Sequence, residues 1–191
     1  MSDTDRKASL MMLKSTSESL SDRLINILQW VKSVMEHGVA APEDFNVAKL
    51  VDQAIQSQEY NISMKSLKVV NEVTPSLMVH DDPSVASLVL QNLLSNAVKF
   101  SYPHGEICVK AEEELDRVWL MVQDNGKGIP EQKLEKIFRF VSTSSSGTGG
   151  ETGTGIGLFV SKQLLDKTGG AIRVESVYGG GTTVRFSIKK S

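Results

Sequence analysis

The stretch "DPSVASLVLQNLLSNAVKF", residues 82–100, constrains the fold more than any other part of this chain. Asp82 followed by Pro83 is a strong helix start, because the carboxylate caps free amides and proline suits the first helical position. No breaker follows before Phe100, so the helix is long. Val89, Leu93 and Ala97 fall on an apolar stripe that needs a second layer to cover it. Asn92 and Asn96 are four apart, Lys99 is three further on, and the three share a different face. Asparagine is a mediocre helix former, and a pair of them in an apolar helix needs polar partners. A carboxamide oxygen is a hard ligand suited to magnesium, and a lysine suits a phosphate. A solvated polar face is the alternative reading.

Around this helix the pattern alternates between helices and strands. Asn46 can cap a helix carrying Val47, Leu50, Val51, Ala54 and Ile55. "LKVVNEV" and "SLMVH" read as short strands separated by Pro75. "GEICVKAEEELDRVWLMVQD" reads as a hairpin turning near Leu115 and Asp116, and "EQKLEKIF" after Pro130 reads as helical. A low-complexity segment, "STSSSGTGGETG", is too polar to pack. A helix over 156–167, the strand "AIRVESV", a "YGGG" turn and the strand "TTVRFSI" close the chain. Strands with helices on one face predict an α+β fold, a two-layer α/β sandwich over residues 45–191.

Residues 1–44 differ in character. A helix is expected over 8–36, where Leu13, Leu20, Ile27 and Val34 recur every seven residues, with Leu24 and Val31 on the same face. Such a seam wants a partner helix, from a second chain or a missing segment, although packing on its own domain is also open. "EHGVAAPEDFN", broken by Gly38 and Pro42, reads as a linker.

Composition narrows the functional classes. With 21 Lys and Arg against 23 Asp and Glu, the chain lacks the basic excess of a dedicated nucleic-acid binder. The single cysteine, Cys108, lies in the apolar run "EICVKA" and excludes an internal disulfide framework. No apolar run approaches the roughly 20 residues of a membrane helix, and "MSDTDRKASL" is unlike a signal peptide. A soluble, cytoplasmic chain without membrane contact is expected.

Two glycine-rich stretches carry the chemistry. In "DNGKGIP", Asp124 ends an apolar strand, and Gly126 and Gly128 permit close backbone approach. A carboxylate held there can accept a hydrogen bond from an exocyclic amino group such as adenine's. The competing Asn-Gly hairpin is weakened by the helical pattern after Pro130. In "GTGIGLFV", Gly153, Gly155 and Gly157 run into a helix, but no strand leads into them, so a dinucleotide fingerprint fails on context. No Gly-Lys-Ser/Thr occurs, which removes a Walker loop. What survives is a glycine-rich loop at a helix N-terminus that favours an anion.

"QNLLSNAVKFS", "DNGKGIP", "KIFRF", "GTGIGLFVSK" and "GGGTTVRF", in this order and spacing, resemble the catalytic, ATP-binding domain of sensor histidine kinases. That family belongs to the wider superfamily of gyrase, chaperone, histidine kinase and MutL ATPases, with a Bergerat-type ATP-binding fold. The resemblance covers nearly the whole chain, and the N-terminal helix with "FNVAKLV" looks like the second dimerisation helix of such kinases. It implies ATP and Mg2+ as cofactors, with Asn96 as the metal ligand and Asn92, Asn96 and Lys99 as the catalytic set. Asp124 would hold the adenine amino group, supported by Gly126, Gly128, Ile129, Phe138 and Thr182. Gly153, Thr154, Gly155, Ile156, Gly157 and Leu158 would bracket the phosphates beneath an ATP lid over 142–152. The implied partners are a second copy, bound through the N-terminal helix, and a response regulator or separate histidine-bearing acceptor, as in two-component signalling.

Departures from the family pattern refine this. ATP-hydrolysing members of the superfamily resemble one another in a glutamate one turn before the magnesium asparagine. Asn92 stands there, and an amide is a poor general base. None of His37, His80 and His104 fits the phosphoacceptor motif, so the γ-phosphoryl is expected to go to a histidine not in this chain. Phe138 and Phe140 are one residue apart where the family usually spaces its aromatics by two. Positions 142–154 contain no basic residue, which leaves Lys136 or Arg139 for the γ-phosphate. The alternative function is a non-catalytic, nucleotide-dependent interaction module, with a gyrase- or MutL-like ATPase as a distant third.

Overall fold

The structure, a computed structural model, describes residues 41–139, 146–151 and 155–190. The helix expected over 8–36 lies outside the described residues, as do Phe140, Gly153, Thr154 and parts of the expected lid.

Asn46 begins the first helix by accepting a hydrogen bond from Lys49 N at 2.9 Å, the capping geometry its side chain favours. That helix, α1, spans Val47–Ser57 and buries Val47, Leu50, Val51 and Ala54. Before it, Glu43–Asn46 forms a strand, β1, where a linker was expected. It pairs antiparallel with β3, Met78–Asp81, with Glu43 opposite Asp81. Phe45 is the one apolar residue in β1, and its partner strand is more than thirty residues away, so local pattern carries no signal. A short helix α2, Glu59–Met64, buries none of its side chains and so leaves no periodicity to read.

The main sheet has five strands in the order β2-β4-β5-β7-β6. They span Lys68–Asn71, Glu106–Glu113, Arg117–Asp124, Gly181–Lys189 and Ile172–Val177 respectively. Only β2 and β4 pair in parallel; the other neighbours are antiparallel. The hairpin between β4 and β5 forms as expected, with Leu115 exposed at its tip.

Alternation along β5 sets the two faces of the sheet. Val118, Leu120 and Val122 face inward and join Ile107, Val109, Phe186 and Ile188 in the core. Against them lies α3, Pro83–Phe100, through Val89, Leu90, Leu93, Leu94 and Ala97. Asp82 caps α3 by accepting from Ser84 N at 2.9 Å and Val85 N at 3.3 Å. On the opposite face, Trp119 is covered by the guanidinium groups of Arg173 and Arg185, 4.7 and 5.4 Å from its ring. The two-layer α+β sandwich expected from sequence is therefore the observed fold.

After Pro130 the helix is one turn, α4, Glu131–Leu134, shorter than "EQKLEKIF" suggested. The chain continues in tighter turns, with Lys136 N bonded to Lys133 O and Arg139 N to Lys136 O. No side chain of α4 is buried, so little rewards a longer helix. The last helix, α5, spans Gly157–Thr168 and stops at Gly169, whose φ of 77° provides a left-handed cap. Among the described residues no helix is long and apolar enough to cross a membrane.

Candidate functional site

Asp124 closes β5 opposite Thr182 of β7, and it is 9% exposed. Its Oδ1 accepts a hydrogen bond from Gly126 N at 2.9 Å. Burial pushes the carboxyl up to about 6, while the backbone amides of Gly126 and Thr182 pull it partly back. A desolvated carboxylate with one oxygen already satisfied is a strong acceptor for a ligand's N–H.

The loop after Asp124 is fixed on both sides. Lys127 N donates to Phe100 O at 3.1 Å, and Gly179 N donates to Lys127 O at 2.8 Å. A Cβ on Gly126 would stand 2.2 Å from Phe100 O, so only glycine lets the loop lie on the end of α3. Ile129 N donates to Ser176 Oγ at 2.8 Å, and the same hydroxyl lies 2.9 Å from both Gly181 O and Thr182 Oγ1. Ser176 thus ties the first glycine loop to the start of β7. Gly128 has a φ of 66°, and a Cβ there would meet Val177 O at 2.0 Å. Gly128→Ala is expected to destabilise the domain by about 2 kcal/mol through left-handed strain and overpacking. Denaturant unfolding measures this directly, and an unchanged midpoint would mean that the loop accommodates a side chain.

The second half of the site is the seam between α3 and α5. Asn92 and Asn96 are half-buried, whereas Gln91 and Ser95 on the neighbouring face are exposed. The asparagine face is therefore more enclosed than the neighbouring one. Asn92 Nδ2 donates to Ser161 Oγ at 2.9 Å, and Asn96 Nδ2 reaches Asn92 Oδ1 at 3.5 Å. A Cβ on Gly157 would lie 2.0 Å from Asn92 Oδ1, so the start of α5 presses directly on this asparagine. Ser161, four residues after Gly157, is 2% exposed. Two small residues at that spacing make the groove into which Asn92 fits.

The halves meet at Phe100, one turn beyond Asn96. Lys99 Nζ and Lys127 Nζ lie 4.8 and 4.6 Å from the Phe100 ring centroid, one ammonium from each half. Asp124, Gly126, Gly128, Ile129 and Thr182 thus form one cluster, and Asn92, Asn96, Lys99 and Gly157 adjoin it. Ile156 is buried with Val160 and Leu164, and Leu158 packs against the main core, so both hold α5 in place. Gly155 is exposed with a φ of 70°. Phe138 is half-buried in the turns after α4. Gly153 and Thr154 are outside the described residues. Sequence reasoning missed Ser176 and Ser161, whose partners Ile129 and Asn92 stand in distant segments.

A helix layer thus covers a mixed sheet, with the buried Asp124 at a strand end and the glycine-led α5 packed on α3. Residues 81–191 match the profile of the family described as "Histidine kinase-, DNA gyrase B-, and HSP90-like ATPase". The chain belongs to this family, as an ATP-binding catalytic domain of the sensor histidine kinase kind. Hybrid signal transduction histidine kinase B of Dictyostelium discoideum is 31% identical over 97% of this chain, which covers 10% of that protein. The catalytic domain of histidine kinase ThkA in its nucleotide-free form superposes with a TM-score of 0.67 at 28% identity, over 78% of this chain and 95% of that one. ThkA in complex with response regulator protein TrrA gives 0.69 at 24% identity, over 94% of this chain and 52% of that one, a likeness of fold. The chain spans between 10% and 32% of the length of the curated relatives it matches.

Proposed function

We propose that this domain binds Mg-ATP and donates the γ-phosphoryl group to a histidine on a separate acceptor segment. The observation that carries the reading is the junction of a desolvated Asp124 with the Asn92/Asn96/Lys99 face of α3 through Phe100. Asp124 accepts the exocyclic amino group of adenine, and the Gly126–Gly128 loop lines the base's edge. Among the described residues no group of three acidic, histidine or cysteine side chains could hold a metal. Magnesium would therefore be held by the Asn96 carboxamide oxygen together with the phosphates, the sparse ligation this ion accepts. Asn96 fits that role because its Nδ2 is turned toward Asn92, which leaves the oxygen for a cation. When bound, magnesium neutralises charge on the phosphates.

Asn92 fits a positioning role, since its amide is engaged by Ser161 and its oxygen abuts Gly157. It thereby sets the N-terminal end of α5 toward the phosphates. No carboxylate stands at position 92 to act as a base for water. Phosphoryl transfer, by contrast, needs mainly positioning and charge neutralisation. The acceptor histidine would come from a dimerisation segment, supplied by a second copy or a partner, and the phosphoryl would pass on to a response regulator. A cytoplasmic setting, which supplies ATP, follows from this reading.

Incubating the chain with γ-labelled Mg-ATP, with and without a separately supplied histidine-bearing acceptor helix, tests it. Acid-labile label is expected on the acceptor only when both are present. Binding measured in parallel separates the other outcomes: tight binding with neither transfer nor free phosphate would make this a nucleotide-dependent interaction module. Free phosphate without an acceptor would make it a hydrolase.

A further inference from the structure

Lys65 lies outside the asparagine helix and both glycine-rich stretches, and its side chain is only 11% exposed. Its Nζ lies 2.9 Å from Val98 O, 2.8 Å from Lys99 O and 3.4 Å from Ser101 O. These are carbonyls at the C-terminal end of α3, where the helix leaves acceptors unpaired and its dipole favours a cation. The same ammonium donates to Thr148 Oγ1 at 2.8 Å and pairs with Glu151 Oε1 at 2.6 Å.

Thr148 and Glu151 belong to the described part of the glycine-rich segment, residues 146–151, and both are bound further. Thr148 N donates to Lys99 O at 3.1 Å, and its hydroxyl donates to Ser101 O. Glu151 closes the turn on itself: Gly147 N donates to Glu151 O at 2.7 Å and Gly149 N donates to Glu151 Oε2 at 2.8 Å. Lys127 Nζ, from the Asp124 loop, donates to Ser146 O. Burial raises the Glu151 carboxyl, but the Lys65 bond and the backbone amides outweigh it and hold the group below the usual range. One buried ammonium therefore joins two parts of the candidate site: the end of the helix that carries Asn96 and Lys99, and the root of the segment that leads into Gly155 and Gly157.

We propose that Lys65 is a positioning residue for nucleotide binding, knotting segment 146–151 to the end of α3 and so helping to set where Gly155 and Gly157 meet the phosphates. This rests on the Mg-ATP reading above. The bonds of Lys65 go to the end of α3, Thr148 and Glu151, and the Asp124 loop meets this segment through the Lys127 side chain on Ser146 O. Loss of the knot should therefore be felt by a ligand with a triphosphate and not by one without. Thr148 also bonds Lys99 O and Ser101 O directly, whereas Glu151 reaches the end of α3 through Lys65, so the contribution of Glu151 should not be independent of Lys65.

The experiment compares Lys65→Met and Lys65→Arg with the unaltered chain, using calorimetry for Mg-ATP and NMR titration for adenosine. Lys65→Met is expected to weaken Mg-ATP binding about tenfold, or about 1.4 kcal/mol, with adenosine affinity within about twofold. Lys65→Arg keeps a donor for the carbonyls and should recover most of the loss. Glu151→Gln should weaken Mg-ATP binding less in the Lys65→Met background than alone. Equal losses for Mg-ATP and adenosine would reduce Lys65 to a general structural role, and Mg-ATP binding within twofold of the unaltered chain would remove the knot from the site. Failure of the unaltered chain to bind Mg-ATP would instead overturn the reading on which this inference stands.

Discussion

Asn96→Ala is expected to weaken Mg-ATP binding by about 100-fold or more, or about 2.7 kcal/mol, while adenosine binds as before. The size follows from the scarcity of substitutes. Among the described residues no cluster of acidic, histidine or cysteine groups could take over a metal, so losing one carboxamide oxygen leaves magnesium with phosphate and water. The fold should not suffer. Asn96 is half-buried within α3, its one hydrogen bond to Asn92 is 3.5 Å long, and alanine is the better helix former by several tenths of a kcal/mol. Asn92 retains Ser161 and stays seated against Gly157. The variant should therefore melt at or slightly above the temperature of the unaltered chain. Calorimetry with and without magnesium decides the matter: an affinity unchanged by the substitution would remove Asn96 from the metal site. A parallel loss of adenosine binding would point to a disturbed helix instead.

What could be read from the sequence was whatever is encoded locally. The caps at Asn46 and Asp82 act on amides two or three residues away, so both helix starts were visible. The β4–β5 hairpin has a short connection and strong alternation, and its turn stands where it was expected. By contrast, β1 is held by a strand across the domain and contributes one apolar side chain, so it looked like a linker. The short helix α2 packs only Ile62, partly buried, against the core and left no period to detect. The site divides in the same way. Asp124 announces itself as an acid ending an apolar strand, and Asn92 and Asn96 as a pair of poor helix formers in an otherwise apolar helix, which costs free energy unless a partner or ligand compensates. Ser176, Ser161 and Lys65 look ordinary in their own segments. Their roles lie in partners 47, 69 and 83 residues away, at Ile129, Asn92 and Thr148. Spacing within one element cannot report on such pairs; only the packing of α3 against α5 and of the glycine loops against the strand ends brings them together.

Asp124→Asn should weaken nucleotide binding by one to two orders of magnitude and, at neutral pH, make the domain without nucleotide more stable. Both effects come from the same burial. The carboxyl titrates at about 6 in the folded chain because burial disfavours its charged form, against about 3.9 when unfolded. The folded state therefore holds the proton more tightly than the unfolded state between these values. Its contribution to stability is fully present below about pH 4 and is lost as pH rises through 6. A difference of about two units makes the ionised carboxylate unfavourable by about 2–3 kcal/mol at pH 7. Asparagine removes that charge, and its oxygen can still accept from Gly126 N, so the variant should melt several degrees higher at pH 7 and lose most of this advantage near pH 4. Binding goes the other way, because the asparagine amide sets N–H donors against the donor amino group of adenine. Losing a bond to a charged acceptor and leaving a buried donor unpaired should weaken ATP about 30- to 100-fold. The unaltered chain provides an internal check, since protonation removes the same acceptor: its ATP affinity should fall toward tenfold per pH unit below about 6. An Asp124→Asn chain that melts no higher at pH 7 would mean that the carboxylate is not desolvated in the empty site. One that binds ATP as tightly as the unaltered chain would mean that adenine is read elsewhere.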